Sequence, residues 1–249
     1  MAKLYLSVII PAFNEHGNLK RGVLASVWDY LKEQNYSWEV IIVDDGSSDD
    51  TAILAEKFAA KHKGFSVLRE PHRGKGRTVI SGMLVAKGDV VLFTDLDQAT
   101  PLDQIEKLKP KLNKGYDIAI GSRSGRKGAP LLRKTMAYGF TFLRRIVLKL
   151  PYKDTQCGFK IFRRGAANKI FEKMKVFNEK MEMEGASVSA GFDLEILYLA
   201  RKLKLKVAEV PVEWHHMEGT KVNPLKDSWE GFRDLMRVRI NALTGKYRV

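Results

Sequence analysis

Cysteine is almost missing from this chain: Cys157 stands alone in 249 residues, so no disulfide can close within it. The usage fits a reducing compartment. Long apolar runs are missing as well. No uninterrupted stretch approaches the roughly 20 residues that cross a bilayer, and the run in MAKLYLSVIIPAFNE is too short for a signal peptide. Any membrane contact is therefore expected to be peripheral. Prolines number 8, and no Pro/Gly/Ser-rich linker or compositional break divides the sequence. A single domain over 1–249 is expected, large enough to bury an extensive core. Several familiar motifs are also absent. There is no G-x-x-x-x-G-K-[ST] phosphate loop and no G-x-G-x-x-G fingerprint, nor a helix-turn-helix, zinc or aromatic RNA-binding signature.

Negative charge is the scarcer sign, with 29 Asp and Glu against 43 Lys and Arg, a net +14. Such an excess implies anionic partners: nucleic acid, phosphorylated substrates or an acidic membrane surface. Composition does not choose among them. A nucleic-acid-binding protein would leave the acidic loops described next unexplained, so no nucleic-acid partner is expected.

Apolar, β-branched runs alternate with helical patterns through the first half, which predicts a mostly parallel sheet flanked by helices. Strands are expected at Leu4–Ile10, Glu39–Val43, Phe65–Arg69, Asp89–Phe93 and Asp117–Ile120. Helices are expected at Leu19–Lys32, Thr51–His62, Gly76–Ala86 and Leu102–Leu112. Each strand exits into polar sequence: PAFNE, DDGSSDDT, EPHRGKG, TDLDQAT and GSRSGRKG. If the strands are parallel, all these exits lie on one edge, where open α/β sheets bind ligands. One site could then gather Glu15, Asp45, Lys75, Asp95, Asp97 and Arg123. Each loop also has a plainer reading. Gly46 and the serines suit a turn, Ser48 or Asp49 could cap the next helix, and a lone D-x-D is common by chance.

The second half is less regular. PLLRKTMAYGFTFLRRIVLKL, 130–150, spaces Leu131, Leu132, Met136, Phe140, Leu143, Val147 and Leu150 for one helical face, with Arg133, Lys134, Arg144, Arg145 and Lys149 supplying charge. That pattern suits either a membrane-surface helix or a helix packed on the core. A strand at Phe159–Phe162, a helix at Gly191–Leu203, a strand at Lys206–Trp214 and a basic helical pattern over Asp227–Val249 complete the chain. Cys157 reads as a small packed residue, and the adjacent His215 and His216 lack a third metal ligand at a convincing spacing.

In this order, VIIPAFNE, IIVDDGSSDDT, GKGRTVISGM, LFTDLDQAT, AIGSR, DTQCGFKIF, FDLEILYLA and LTGKYR resemble the family 2 glycosyltransferases of GT-A fold. The likeness is greatest to those acting on polyprenyl phosphates: the dolichyl-phosphate β-glucosyltransferases, with the dolichol-phosphate mannose synthases as cousins. It spans almost the whole chain. It implies a Rossmann-like, mostly parallel central sheet, with a nucleotide-sugar half at 1–125 and an acceptor and membrane-surface half of amphipathic helices at 126–249. Pro11, Phe13, Glu15 and Asp45 would line the nucleotide pocket. Asp95 and Asp97 would form the family's D-x-D, holding Mg²⁺ or Mn²⁺ against the donor diphosphate. Arg123 and Arg133 match positions facing the lipid phosphate, and Lys221 matches a lysine near the pyrophosphate. The chain departs from the mannose synthases at His215, where they carry arginine, and at Ala99, where they carry a glutamine ligand. The glucosyltransferases of eukaryotes begin with a membrane-spanning segment, which this chain does not show. The implied setting is peripheral, at the cytoplasmic face of a membrane.

The implied reaction is inverting transfer of a hexose, glucose from UDP-glucose, to a polyprenyl phosphate. Mannose from GDP-mannose and a hydroxyl acceptor are the alternatives. Expelling a nucleoside diphosphate builds charge that a hard cation neutralises well, and Lys75, Lys221 and Arg123 could add to that. In extended backbone, residues i and i+2 point the same way, which would aim Asp95 and Asp97 together. A phosphate acceptor needs no strong base, because its second ionisation lies near pH 6. A hydroxyl acceptor would need one, for which Asp154 and Asp193 are candidates; Asp193 could equally serve a helix N-terminus. The sequence leaves the oligomeric state open.

Overall fold

The computed structural model describes residues 3–123, 131–175, 191–215 and 224–247, excepting the side chains of 131–138 and 224–228. Its strands are β1 (Leu6–Ala12), β2 (Trp38–Asp45), β3 (Phe65–Glu70), β4 (Val90–Thr94), β5 (Ile118–Arg123), β6 (Phe159–Arg163) and β7 (Val207–Val212). They form one seven-stranded sheet in the order β3-β2-β1-β4-β6-β5-β7. Only β6 runs against the rest: it pairs antiparallel with both β4 and β5, so β5 and β7 recover the direction of β1–β4. The exits of β1 to β5 therefore share one edge, as the alternating pattern predicts. Strand order reverses direction between β1 and β4, the crevice where doubly wound sheets hold ligands.

Alternate strand residues feed two core layers. Ile9, Ile41, Val43, Val91 and Phe93 face Val79, Ile80 and Met83 of α4 (Lys75–Val85) together with α7 (Arg164–Phe171) and α8 (Gly191–Lys202). Val8, Ile10, Val40, Ile42 and Leu92 face Leu24, Val27 and Leu31 of α2 (Val23–Lys32), and Ile105, Leu108 and Leu112 of α5 (Ile105–Asn113). Both faces of the central strands are covered, so β1 and β4 read as continuous apolar runs without alternation.

Several boundaries differ from the sequence expectation. β1 continues through Pro11 and Ala12. Its pairing with β4 ends at Ile9, so a residue without an N–H costs no bond on that side. The helix expected at Leu19–Lys32 is split into α1 (His16–Lys20) and α2, because Gly22 between them takes a left-handed φ of 79°. The segment expected as Leu102–Leu112 opens with a 3₁₀ turn, Leu102–Gln104, before α5. α3 (Thr51–Lys61) follows the expected pattern closely. The last helix, α9 (Pro224–Leu243), stops before Gly245, whose φ of 72° turns the chain back. Tyr247 then enters the core, 1% exposed, and donates its hydroxyl to Glu195 Oε1 at 2.7 Å.

α6 (Leu131–Val147) decides between the two readings of its face. Phe140, Leu143 and Val147 pack on the core and Leu150 is buried, whereas Leu131, Leu132, Arg133, Lys134 and Met136 have side chains outside the described set. Arg144, expected among the outward basic groups, points inward instead and is 3% exposed. The solvent face carries Phe142 at 66% and Ile146 at 60% exposure. Beside it, the Phe140 ring lies near Gly231 of α9, and α9 exposes Trp229 and Phe232.

Candidate active site

The first two strand exits are laced together. Asn14, with a left-handed φ of 53°, donates its N–H to Ser47 Oγ at 3.0 Å and accepts the Ser48 N–H at 2.9 Å. Glu15 N–H donates to Thr51 Oγ1 at 2.7 Å, which fixes where the Glu15 side chain starts. Asp49 Oδ1 accepts the Thr51 N–H at 2.9 Å in a local turn, whereas the N-cap of α3 is Asp50, which makes no side-chain cap bond, so neither Ser48 nor Asp49 caps the helix as expected.

Asp45 organises the third exit. Its carboxylate accepts the N–H groups of Arg73 and Gly74, each at 2.9 Å, and lies 2.9 Å from His72 Nδ1. Phe13 stacks on that imidazole with ring centres 4.0 Å apart. Pro11 is buried within β1. Asp44, which precedes Asp45 and was passed over in the sequence, is 3% exposed: Oδ2 accepts the Ser47 N–H at 3.2 Å, while Oδ1 meets no hydrogen-bond donor among the described residues. A buried carboxylate oxygen without a donor is costly. The Asp-Asp pair itself was the signal, because consecutive strand residues face opposite ways and serve different purposes.

The D-x-D stands on a turn rather than on extended backbone. β4 ends at Thr94, Gln98 N–H closes onto Asp95 O at 3.2 Å, and Gln98 takes a left-handed φ of 52°. Gln98 Nε2 donates to the same Asp95 carbonyl at 2.9 Å, and Asp97 Oδ1 accepts the Ala99 N–H at 2.9 Å. Ala99 O in turn accepts the His215 N–H at 2.8 Å, tying the exit of β7 to this loop. Gln98 and Ala99 thus shape the turn. The backbone of Gly158 lies so close to Asp95 that a Cβ there would fall 2.1 Å from Oδ2.

Electrostatically the exits form an acidic basin with a cation at its floor. Lys75 Nζ is 2.5 Å from Asp95 Oδ1. Burial opposes the Lys75 charge, yet Asp95, with Asp193 and Asp97 adding to it, lifts the ammonium above the ordinary lysine value. Burial raises the Glu15 carboxyl against a hydrogen bond from Asn18, and Asp97 and Asp95 add repulsion. Burial also raises Asp97, against the Ala99 amide, with Asp95 adding again. Among the described residues no three His, Cys, Asp or Glu side chains converge into a preformed metal site.

Two further ion pairs lie towards β5. Arg123 grips Asp154 in a fork, Nε to Oδ2 at 2.7 Å and Nη2 to Oδ1 at 2.9 Å, and its guanidinium stands 5.9 Å from the Trp214 ring. Burial alone would raise the Asp154 carboxyl, but the Arg123 bonds hold it down at about 2. Lys160, unremarked in the sequence, has a fully buried side chain and donates to Asp193 Oδ1 and to Cys157 O, each at 2.5 Å. Its signal was a lysine inside the apolar strand FKIF. Burial raises Asp193 despite this partner. Cys157 is packed as expected, 1% exposed, its thiol pushed by burial up to about 11.

The structure thus brings Glu15, Lys75, Asp95 and Asp97 together, leaves Asp45 to organise the 72–74 loop, and places Asp193 and the Arg123–Asp154 pair along the same edge. The Arg133 side chain, Lys221 and His216 lie outside the described residues.

A mixed sheet of this order, with acidic and basic strand exits gathered on one edge, is the architecture of a GT-A glycosyltransferase. Residues 7–171 match the model of glycosyl transferase family 2, and the chain belongs to that family. It is 34% identical to the dolichyl-phosphate beta-glucosyltransferase of Dictyostelium discoideum, covering 99% of this chain and 77% of that protein. It is 35% identical to the protein of the same name in Saccharomyces cerevisiae, over 99% and 77% respectively. Its fold is that of glucosyl-3-phosphoglycerate synthase from Mycobacterium tuberculosis, solved with Mn²⁺, UDP and glucosyl-3-phosphoglycerate: TM-score 0.62, 20% identity, over 94% of this chain and 80% of that one.

Proposed function

We propose that the protein transfers glucose from UDP-glucose to a dolichyl or related polyprenyl phosphate, inverting the anomeric centre. The relatives' names supply the sugar and the acceptor class, and the solved neighbour with UDP and Mn²⁺ supports the nucleotide. The observation that carries the acceptor assignment is the Arg123–Asp154 fork, bonded at 2.7 and 2.9 Å. A carboxyl held at about 2 has little affinity for a proton, and Asp193 spends an oxygen on the buried Lys160 ammonium. Asp154 therefore does not suit the base that a hydroxyl acceptor demands, and Asp193 is committed to a buried ion pair. A phosphate monoester is largely dianionic at neutral pH and needs none. Arg123 keeps Nη1 uncommitted among the described residues, so it can receive a phosphate oxygen while Asp154 holds it in place.

On the donor side, Asp44 and the stacked Phe13–His72 rings frame a pocket for the nucleoside, and Glu15, Asp95 and Asp97 supply hard oxygen donors beside Lys75. The residues fit a divalent ion, since repulsion among these carboxylates is what a cation relieves. Mg²⁺ or Mn²⁺ held by Asp95 and Asp97 would supply charge neutralisation at the leaving diphosphate. Lys75 adds its own charge to that diphosphate, and Arg123 aligns the acceptor. The acceptor oxygen forms its bond to the anomeric carbon as the bond to UDP breaks, so an α-linked donor gives a β-linked lipid phosphate.

Peripheral contact with an anionic membrane completes the reading. No described helix is long and apolar enough to cross a membrane, while Phe142 and Ile146 of α6 and Trp229 and Phe232 of α9 are exposed on neighbouring helices. The decisive assay supplies labelled UDP-glucose and a short-chain polyprenyl phosphate. Label passing into the organic phase as a sugar lipid is expected. Label appearing only as free glucose or on a hydroxyl acceptor would overturn the acceptor assignment.

A further inference from the structure

We infer that Arg144 is a positioning residue for the acceptor phosphate, acting through the 152–156 loop and Asp154 on Arg123. The inference rests on the reading of Arg123 given above. Arg144 is buried at 3% exposure, which is expensive for a guanidinium unless its donors are satisfied. Three of its bonds go to one loop: Nη1 donates to Thr155 Oγ1 at 2.7 Å, and Nη2 to Tyr152 O and Lys153 O, each at 3.0 Å. Thr141 Oγ1, one turn back on α6, accepts from Nη2 at 3.2 Å and steadies the side chain.

The same loop is held from the opposite side. Glu209 of β7 accepts the N–H of Lys153 through Oε2 at 3.0 Å and the N–H of Asp154 through Oε1 at 2.7 Å. Carbonyls are drawn to a cation and amides to an anion, so the peptide units around Asp154 are fixed in orientation by two buried or half-buried charges. Asp154 then closes an Asx turn on Gln156 N–H at 3.1 Å and presents both oxygens to Arg123. Arg144 touches neither substrate position itself. Its effect reaches the acceptor only because a fork is sensitive to the angle of its carboxylate. The outer face of α6, with Phe142 and Ile146, is where the proposed membrane contact lies, so the same helix would join the lipid surface to the acceptor cation.

The test is steady-state kinetics of the full chain with UDP-glucose and farnesyl phosphate, for wild type, Arg144→Met, Arg144→Lys, Arg123→Ala and the double variant Arg144→Met/Arg123→Ala. Arg144→Met is expected to raise the acceptor KM about tenfold, in line with the cost of misplacing a binding group, and to leave the UDP-glucose KM within about twofold. Arg144→Lys recovers part of the loss. In the Arg123→Ala background, Arg144→Met adds nothing further, because the path runs through Arg123. Should Arg144→Met fail to fold, Glu209→Gln loosens the loop from its other side and is expected to give the same split. Equal rises in both KM values, or an Arg144 effect that persists in full without Arg123, overturns the inference alone. An acceptor KM unmoved by Arg123→Ala overturns the reading of Arg123 and the inference with it.

Discussion

Lys160 Nζ stands 2.5 Å from Asp193 Oδ1, with the lysine side chain wholly buried and its ammonium 5.2 Å from the centre of the Phe93 ring. Removing one member of a buried pair strands the other charge. Lys160→Met is therefore expected to destabilise the fold by about 3 kcal/mol. Lys160→Met/Asp193→Asn should recover much of that, because no unpaired charge remains. Urea midpoints check both, and a double variant no more stable than the single one would refute the pairing as the source.

The Asp154 carboxyl moves from an ordinary 3.8 to about 2 on folding. The folded state then binds fewer protons than the unfolded chain in that window. The Arg123–Asp154 pair stabilises the protein in full above the unfolded value, and acidification through the folded value removes the contribution, about 2 kcal/mol. Stability of wild type minus that of Asp154→Asn should shrink as pH falls from about 5 towards about 2. A gap that stays constant over this range contradicts the linkage.

Asp97 pays for its place through burial and the Asp95 charge. Asp97→Asn keeps an oxygen for the Ala99 N–H while removing a charge, so the ligand-free variant should melt about 1–3 °C higher than wild type. UDP with Mn²⁺ should raise the wild-type melting temperature and leave the variant unmoved. A matching rise in the variant would remove Asp97 from the cation's binding set.

Gly158 gives Asp95 its room: an added Cβ would meet Oδ2 at 2.1 Å. Gly158→Ala should displace that carboxylate and raise the UDP-glucose KM about tenfold or more, with the acceptor KM little changed. Kinetics with each substrate varied in turn distinguishes this from general loss of folded enzyme.

Phe142 and Trp229 are each 66% exposed, so serine at either position leaves the core intact. Flotation with vesicles rich in anionic lipid should retain wild type and release much of Phe142→Ser/Trp229→Ser, with unchanged circular dichroism. Equal retention of both proteins would move membrane contact elsewhere.

Much of the framework was legible in the residues. Apolar runs in β1, β2 and β4 announced buried parallel strands, and the parallel reading placed their polar exits on one edge. Other features were hidden for definite reasons. The division between α1 and α2 depends on one left-handed glycine inside an otherwise helical pattern. The D-x-D turn depends on Gln98 at positive φ, which side-chain alternation cannot reveal.

The sequence by itself determined the α/β class, the apolar stripes and which residue types reach the strand exits, because period and composition are local properties. Tertiary structure decided what those residues meet. Antiparallel β6 enters between β4 and β5, and this carries Lys160 beneath the site and brings Asp154 to Arg123. Packing of α6 turns Arg144 inward among carbonyls, although its neighbours in sequence read as a basic outer face. A charge's role depends on its partners in space: Asp154 lies 31 residues from Arg123 and Asp193 lies 33 from Lys160, while the carbonyls around Arg144 come from a loop 8 and 9 residues on.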